Sequence, residues 1–345
     1  MECLERESGM QILLITPNFF DYPSQMCEEL WRMGHEVDWY DDRPSTNSFV
    51  KAIIRTNKNL VNLMIQKYFL RIMHEISGKK YDIVLLISGQ SLSFTEDMME
   101  RLRTSQKQAE FVLYQWDSVE NFPYIVKVQK YFDRCYSFDP MDVKENSNLR
   151  FLPLFYTKRY ADIGVKEIRE YKYDCMFVGT AHPRKYRFIK EMGQKLSEVY
   201  KKQYIYFFFP SRLVYIYRKL LNQEFKDARY SEFHFESVKA EQMDELLTQS
   251  RCVLDSAQQG QTGLTIRVFE TLGAKRKIIT TNQDIVNYDF YRPENVYVYE
   301  GSFDYSSPFF TEAYKEIENR VYERYSLSSW LKELTGDVRH EDSTD

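Results

Sequence analysis

The chain is poor in the residues that mark a disulfide-stapled or metal-built protein. Its five cysteines, Cys3, Cys27, Cys135, Cys175 and Cys252, are scattered with no CxxC pair, and it has only five histidines. That spacing excludes a zinc framework and reads as reduced, mostly buried thiols of a cytosolic protein. No apolar run approaches the roughly 20 residues that span a bilayer, and the opening MECLERESGM is charged where a secretory signal would be apolar. This opening reads as a loose extension before the first strand, with Met10 as an alternative start, and the closing GDVRHEDSTD as a frayed polar tail. A basic excess is missing too. Lys and Arg number 47 against 51 Asp and Glu, net −4, which argues against a general nucleic-acid partner.

What remains is a dense globular composition, 43% hydrophobic with 27 Tyr and 24 Phe. At 345 residues the chain is long for one core and suits two domains. Buried-strand runs QILLIT (11–16), YDIVLLIS (81–88) and EFVLYQW (110–116) carry apolar residues on both faces, and shorter strands are expected at 36–40, 134–138 and 150–154. Helical patterns at 24–33, 45–77 and 95–103 separate them, so the strands should be parallel. After a polar stretch at 156–172, read as a linker, the alternation restarts. Strands are expected at 173–178, 203–209, 251–255 and 277–281, with helices at 183–200, 241–249 and 264–274 and a helical close at 308–334. The fold class is therefore α/β: two Rossmann-like doubly wound parallel-sheet domains facing a cleft, with a C-terminal helix packing back. The boundaries fall at 10–155, 173–306 and, for the closing helices, 307–336.

Two segments have the chemistry to hold a phosphate. Phe177-Val178-Gly179-Thr180 ends a strand and enters a helix whose first turn carries Pro183, Arg184 and Lys185. A glycine allows close backbone approach, and a helix N-terminus presents amides and partial positive charge. A bare turn is the competing reading. The second segment runs from Asp255 through Thr262, Gly263, Leu264 and Thr265 into a helix with Leu264, Val268 and Leu272 on its core side and Arg267, Glu270 and Thr271 on the other. Amides of Thr262 to Thr265 could cradle a diphosphate, Arg267 neutralise it, and Glu270 accept from a ribose diol. An i,i+3 Arg267–Glu270 ion pair on a surface helix is the alternative.

The run G-x-T-I-R-V-F-E-T-L-G-A-K-x-x-I-I-T-T-N, residues 263–282, resembles the donor-binding segment of GT-B glycosyltransferases. It is most similar to the spore-maturation-protein (CgeB-like) family and to bacterial enzymes of lipopolysaccharide core, capsule and exopolysaccharide assembly. The resemblance covers residues 173–299, and the N-terminal half only by architecture. It implies transfer of a sugar from a nucleotide-sugar to a glycan or lipid-linked acceptor, with no cofactor besides that donor. It places Gly179, Thr180 and Arg184 near the diphosphate, Thr262, Gly263 and Arg267 at the phosphates, and Glu270 on the ribose. Two positions depart from the family pattern. Gly263 stands where many such enzymes have the first of two glutamates seven residues apart, so that motif assigns no stereochemical outcome, and Lys275 stands where a cap glycine is usual.

Sugar transfer with inversion needs a base for the acceptor hydroxyl. The loops after the first-domain strands offer Asp117, preceded by Trp116, as first choice and Asp21 as second; either could instead cap a helix. His182 could help position phosphate, whereas His35, His74 and His234 read as surface or satisfied interior residues. Asp41-Asp42 reads as a solvated loop, so no metal is assigned. Between Lys51 and Lys80 lie seven Lys or Arg and one acid, Glu75, interleaved with apolar residues. That stretch could rest on the inner face of an anionic membrane, with Arg212, Arg218 and Lys219 extending it, or pack into the core with a solvated basic face. Two other readings stay open: a sugar-nucleotide epimerase of the same fold, for which histidine is scarce, and a non-catalytic nucleotide- or sugar-binding module.

Overall fold

The computed structural model describes residues 9–45, 61–257 and 262–337. The chain divides into two compact units, Met1–Pro153 with Leu327–Asp345, and Leu154–Ser326. Among the described residues no helix is long and apolar enough to cross a membrane.

In the first unit, strands β1 (Gln11–Ile15), β2 (Glu36–Tyr40), β3 (Ile83–Ser88), β4 (Glu110–Gln115), β5 (Arg134–Ser137) and β6 (Leu149–Phe151) form one sheet in the order β2-β1-β3-β4-β5-β6, every pair parallel. The connecting helices are α1 (Tyr22–Arg32), α2 (Asn62–Glu75), α3 (Glu96–Ser105), α4 (Ile125–Gln129) and α5 (Pro140–Glu145). Parallel strands need such crossovers, and both faces of β1, β3 and β4 are accordingly buried. Of the helical stretch expected at 45–77, α2 forms, with Ile65, Phe69 and Ile72 in the core; residues 46–60 lie outside the described residues.

The second unit begins with α6 (Lys158–Gly164) and continues β7 (Tyr173–Thr180), α7 (Pro183–Leu196), β8 (Gln203–Phe208), α8 (Arg212–Leu221), β9 (Phe233–His234), α9 (Ala240–Gln249), β10 (Ser250–Leu254), α10 (Ile266–Gly273), β11 (Lys277–Thr280), β12 (Val296–Val298), α11 (Pro308–Thr311) and α12 (Asn319–Arg324). Its parallel sheet has the order β12-β11-β10-β7-β8-β9. Counted from its own first strand this is 3-2-1-4-5-6 read in reverse, the dinucleotide-fold order. The two-domain α/β architecture of doubly wound parallel sheets expected from the sequence is the one observed.

Three local expectations are corrected. The stretch at 156–172 is no linker, because it contains α6, whose Tyr160 and Ile163 are buried. The close at 308–334 is not one helix. Residues 313–318 are non-helical, and buried side chains hold the backbone on either side and within: Lys277 Nζ donates to the carbonyls of Phe309 (2.7 Å) and Glu312 (2.6 Å), and Asn295 bonds both the amide and the carbonyl of Lys315. The last helix, α13 (Leu327–Thr335), belongs to the first unit rather than to a separate closing segment. Its Trp330 is buried edge-on to Tyr114 at 4.6 Å, and Arg134 donates to the carbonyls of Glu333 and Leu334 at its end.

Trp330→Ala should therefore leave a large void in the first unit and lower its stability by about 3–5 kcal/mol. Urea denaturation read by far-UV circular dichroism would show this; an unchanged midpoint would mean that α13 does not belong to that core.

Candidate functional site

Strand order reverses at β1 and β3 in the first unit, and the loops that leave their carboxyl ends part to either side. A crevice is expected at such a switch point, and one is present: a cavity of about 200 Å³. Thr16 and Pro17 after β1, Arg43 after β2, Gly89 and Ser91 after β3, and Trp116 and Asp117 after β4 line it, with Phe19 from the β1–α1 connection and Tyr22 at the start of α1. Tyr22 packs edge-on to Trp116 (5.9 Å) and stacks with Phe19 (6.5 Å), while Phe19 meets Phe20 at 4.5 Å. Phe20 has φ 48°, a left-handed conformation costly for a non-glycine residue. Exposed rings on a strained loop beside a cavity that also holds Arg43, Ser91 and Asp117 suit the apolar face of a sugar.

Asp117 is held asymmetrically. Its Oδ2 accepts from the backbone N–H of Gln90 at 2.9 Å, and among the described residues its Oδ1 has no partner. A Cβ at Gly89, the residue before Gln90, would lie 2.1 Å from Asp117 Oδ2 and push that carboxylate out of place. Asp21, the second candidate, sits at the N-cap position of α1 without a side-chain capping bond and is not among the residues lining the cavity.

The acidic pair after β2 is a correction. Asp42 is not solvated but fully buried. Its Oδ2 accepts from the hydroxyls of Ser88 and Ser91 (2.5 Å to Ser91), and its carbonyl accepts from Ser93 Oγ at 2.6 Å. The Nε of Arg43 lies 3.3 Å from Asp41 Oδ1 and 3.5 Å from Asp42 Oδ1. Arg43 is only 5% exposed and lines the cavity, and its two Nη nitrogens have no protein partner among the described residues. Burial pushes the Asp42 carboxyl up to about 7 against the opposing pull of Ser88, Ser91 and Arg43. Sequence reading missed Asp42 and Arg43; the only signal was an acidic pair directly before an arginine at a strand's carboxyl end.

In the second unit the switch lies between β7 and β10. At Gly179 a Cβ would stand 2.8 Å from the Phe177 ring, so the strand end needs glycine for space. Thr180 is exposed, His182 is the N-cap residue of α7, and Pro183 opens the helix. Arg184 and Lys185 form no ion pair among the described residues, nor does Arg218 of α8. The His182 imidazole is held below its usual range by burial and then by Arg218, Lys185 and Arg184. A helix N-terminus and three unpaired cations thus meet at one place, an arrangement suited to an oligoanion. Arg218, which the sequence offers as an extension of the basic face, also belongs to this cluster.

The loop after β10 is braced from neighbouring strand ends. Asp255 accepts from Thr265 Oγ1 (3.1 Å) and Thr280 Oγ1 (3.0 Å), and Asn282 Nδ2 donates to the carbonyls of Thr262 (3.1 Å) and Gly263 (3.3 Å). Leu264, Val268 and Leu272 are buried as expected. Glu270 and Thr271 are buried as well and not on a solvent face, because α6 covers that side of α10. Tyr160 donates to Glu270 Oε1 at 2.8 Å, and Arg267 Nη1 pairs with Glu270 Oε2 at 2.8 Å. The i,i+3 ion pair thus exists inside a buried network rather than on a surface. Lys275 has φ 51°, the left-handed position usually given to a cap glycine.

No protein-family model matches the sequence, and no curated protein does. Solved structures share the fold. A glycosyltransferase from Rickettsia africae ESF-5 is 12% identical with TM-score 0.56, over 97% of this chain and 100% of that one. An alpha-glucosyltransferase, in complex with UDP and a 13-mer DNA containing a central A:G mismatch, is 11% identical with TM-score 0.53, over 95% and 91%. The UDP-GlcNAc 2-epimerase of Methanocaldococcus jannaschii is 11% identical with TM-score 0.51, over 95% and 100%. At such identities the likeness is one of fold, the GT-B architecture common to glycosyltransferases and sugar-nucleotide epimerases.

A raised carboxyl pKa in the folded state means that folding takes up a proton between the ordinary value of 3.8 and about 7. The contribution of Asp42 to stability is therefore present at low pH and lost as pH rises through that window. Asp42→Asn should flatten this slope in urea midpoints measured between pH 5 and pH 8, and a variant with the wild-type slope would refute the assignment.

Proposed function

We propose that the protein is a glycosyltransferase in which the first unit takes the acceptor and supplies the base, and the second holds a nucleotide-diphosphate sugar. One observation carries this reading: Asp117, with Oδ2 fixed by Gln90 and Oδ1 open, lines a 200 Å³ cavity with aromatic rings and the buried Arg43. A general base needs one oxygen oriented and the other available. In an inverting transfer Asp117 Oδ1 takes the proton of the acceptor hydroxyl as the acceptor oxygen bonds to the anomeric carbon. The bond from the anomeric carbon to the diphosphate oxygen breaks, and the departing nucleoside diphosphate carries the charge.

The leaving group's charge is met by the N-terminus of α7 with Gly179, Thr180, Arg184, Lys185 and Arg218, and by the amides of Thr262, Gly263 and Leu264, with no metal required. Arg267 exchanges its Glu270 contact for the diphosphate, so that Glu270 Oε2 receives a ribose hydroxyl while Tyr160 keeps Oε1 in place. Asp21 is the alternative base. The finer reading is a cytoplasmic enzyme, of the kind the spore-maturation-protein resemblance implies, that builds cell-surface polysaccharide on a glycan or lipid-linked acceptor. Fold neighbours that handle UDP and sugars support the donor class.

A thermal-shift screen against UDP, GDP, ADP, CMP and dTDP and their sugars should give selective stabilisation by one donor; a flat response across the set would overturn the reading. Glu270→Gln should weaken that donor at least about tenfold, the loss of one charge-assisted bond. Asp117→Asn should keep donor affinity and lower turnover about 10²–10⁴-fold. Gly89→Ala, whose Cβ would displace the Asp117 carboxylate, should lower turnover with donor binding intact. Wild-type turnover in Asp117→Asn would remove Asp117 as base, and donor-sugar isomerisation without acceptor would identify an epimerase.

A further inference from the structure

Helix α8 is built inside out. Its N-cap Ser211 accepts from the amide of Val214, Tyr215 is buried in an aromatic cluster with Phe209 and Phe233, and Lys219 Nζ donates to the carbonyl of Ala228 at 2.8 Å. Those contacts fix which side faces the unit. The other side carries Leu213, Ile216, Tyr217, Leu220 and Leu221, all exposed, with Leu213 at 78% and Leu220 at 80%. The spacing i, i+3, i+4, i+7, i+8 makes one apolar stripe, an arc of roughly 140° at 3.6 residues per turn. Isolated exposed apolar residues are ordinary, but five in one stripe on one helix mark a contact surface.

The same wheel puts Arg218 along one edge of the stripe and Arg212 along the other, with Lys219 beyond Arg212 and turned in to Ala228. The helix contains no acid in a chain of net charge −4. Over residues 212–229 the basic residues Arg212, Arg218, Lys219, Lys226 and Arg229 outnumber Glu224 and Asp227. Apolar side chains flanked on both sides by long cations match a bilayer surface, where the stripe enters the acyl boundary and the cations reach lipid phosphates. A second copy of the chain fits less well, because a two-fold contact between identical patches would bring like charges together. Helix α2, within the basic stretch read from sequence, turns Ile65, Phe69 and Ile72 into the core and leaves only Leu63 and Leu70 exposed among its large aliphatic residues.

We infer that α8 docks the second unit onto an anionic lipid bilayer. Arg218 also belongs to the cation cluster around His182, so the docking helix borders the proposed anion site. The inference itself does not rest on the glycosyltransferase reading.

The test is co-sedimentation of the full chain with vesicles of phosphatidylcholine alone and of phosphatidylcholine mixed with phosphatidylglycerol. Wild-type protein should pellet with the mixed vesicles, weakly with neutral ones, and less as salt is raised. The double variant Leu213→Glu/Leu220→Glu should lose at least about tenfold in bound fraction with an unchanged thermal midpoint, since both residues are exposed. Arg212→Glu should lose severalfold. Wild-type protein that stays in the supernatant, equal binding to neutral vesicles, or equal binding by the double variant would each overturn the inference. So would a dimer in sedimentation velocity that the double variant converts to monomer while vesicles bind neither form, which would assign the stripe to a second copy.

Discussion

In an all-parallel sheet every strand delivers the chain to the same edge, and the return path is occupied by crossover helices. Residues free to carry chemistry therefore collect where successive loops leave in opposite directions. In the first unit this constraint gathers Thr16, Gly89 and Asp117 from three separate loops around one cavity. In the second it brings the loop after β7 next to the loop after β10, because those strands pair directly. The polar side chains at both places depend on the sheets for their positions.

The sheets in turn tolerate several buried ionisable groups only because each is given partners, since an uncompensated charge in an apolar interior is costly. Asp42 receives three serines and lies beside Arg43, which ties the loop after β2 to the loop after β3 and fixes the floor of the cavity. Glu270 takes Tyr160 and Arg267. Lys277 and Arg276, flanking the start of β11, donate to backbone carbonyls instead of carboxylates, and burial pulls both below their usual range. Where partners are side chains from neighbouring loops, the polar network orients a site; where they are carbonyls, it ends a helix or holds an irregular segment.

Strands and their parallel arrangement were legible because runs such as 83–88 are apolar on both faces, a pattern only a covered sheet satisfies. The placement of Asp117 at the first-unit crevice was legible from its position after a buried strand. The failures share a cause: they concern faces whose covering comes from far away in sequence. Tyr160 arrives from a segment that reads as polar linker and buries Glu270, so periodicity within α10 alone put Glu270 toward solvent. Asp42 lies 46 residues from Ser88 and 49 from Ser91, and nothing local announces those bonds. Helix α8 went unrecognised because its strongest apolar stripe points outward, and its core contact rests chiefly on Tyr215.

The electropositive end of the second unit is arranged so that its charge does not depend on histidine. Burial and three neighbouring cations favour the uncharged imidazole of His182, leaving it able to donate or accept a hydrogen bond near neutral pH. The fixed charge lies on Arg184, Lys185 and Arg218, which come from two helices and repel one another across that imidazole. Three like charges gathered about one imidazole, with Glu224 acting in the opposite sense, raise the energy of that end, and an oligoanion placed there would relieve the repulsion while gaining the amides at the helix start. On the proposed reading, the unfavourable clustering and an affinity for phosphate would have one physical origin.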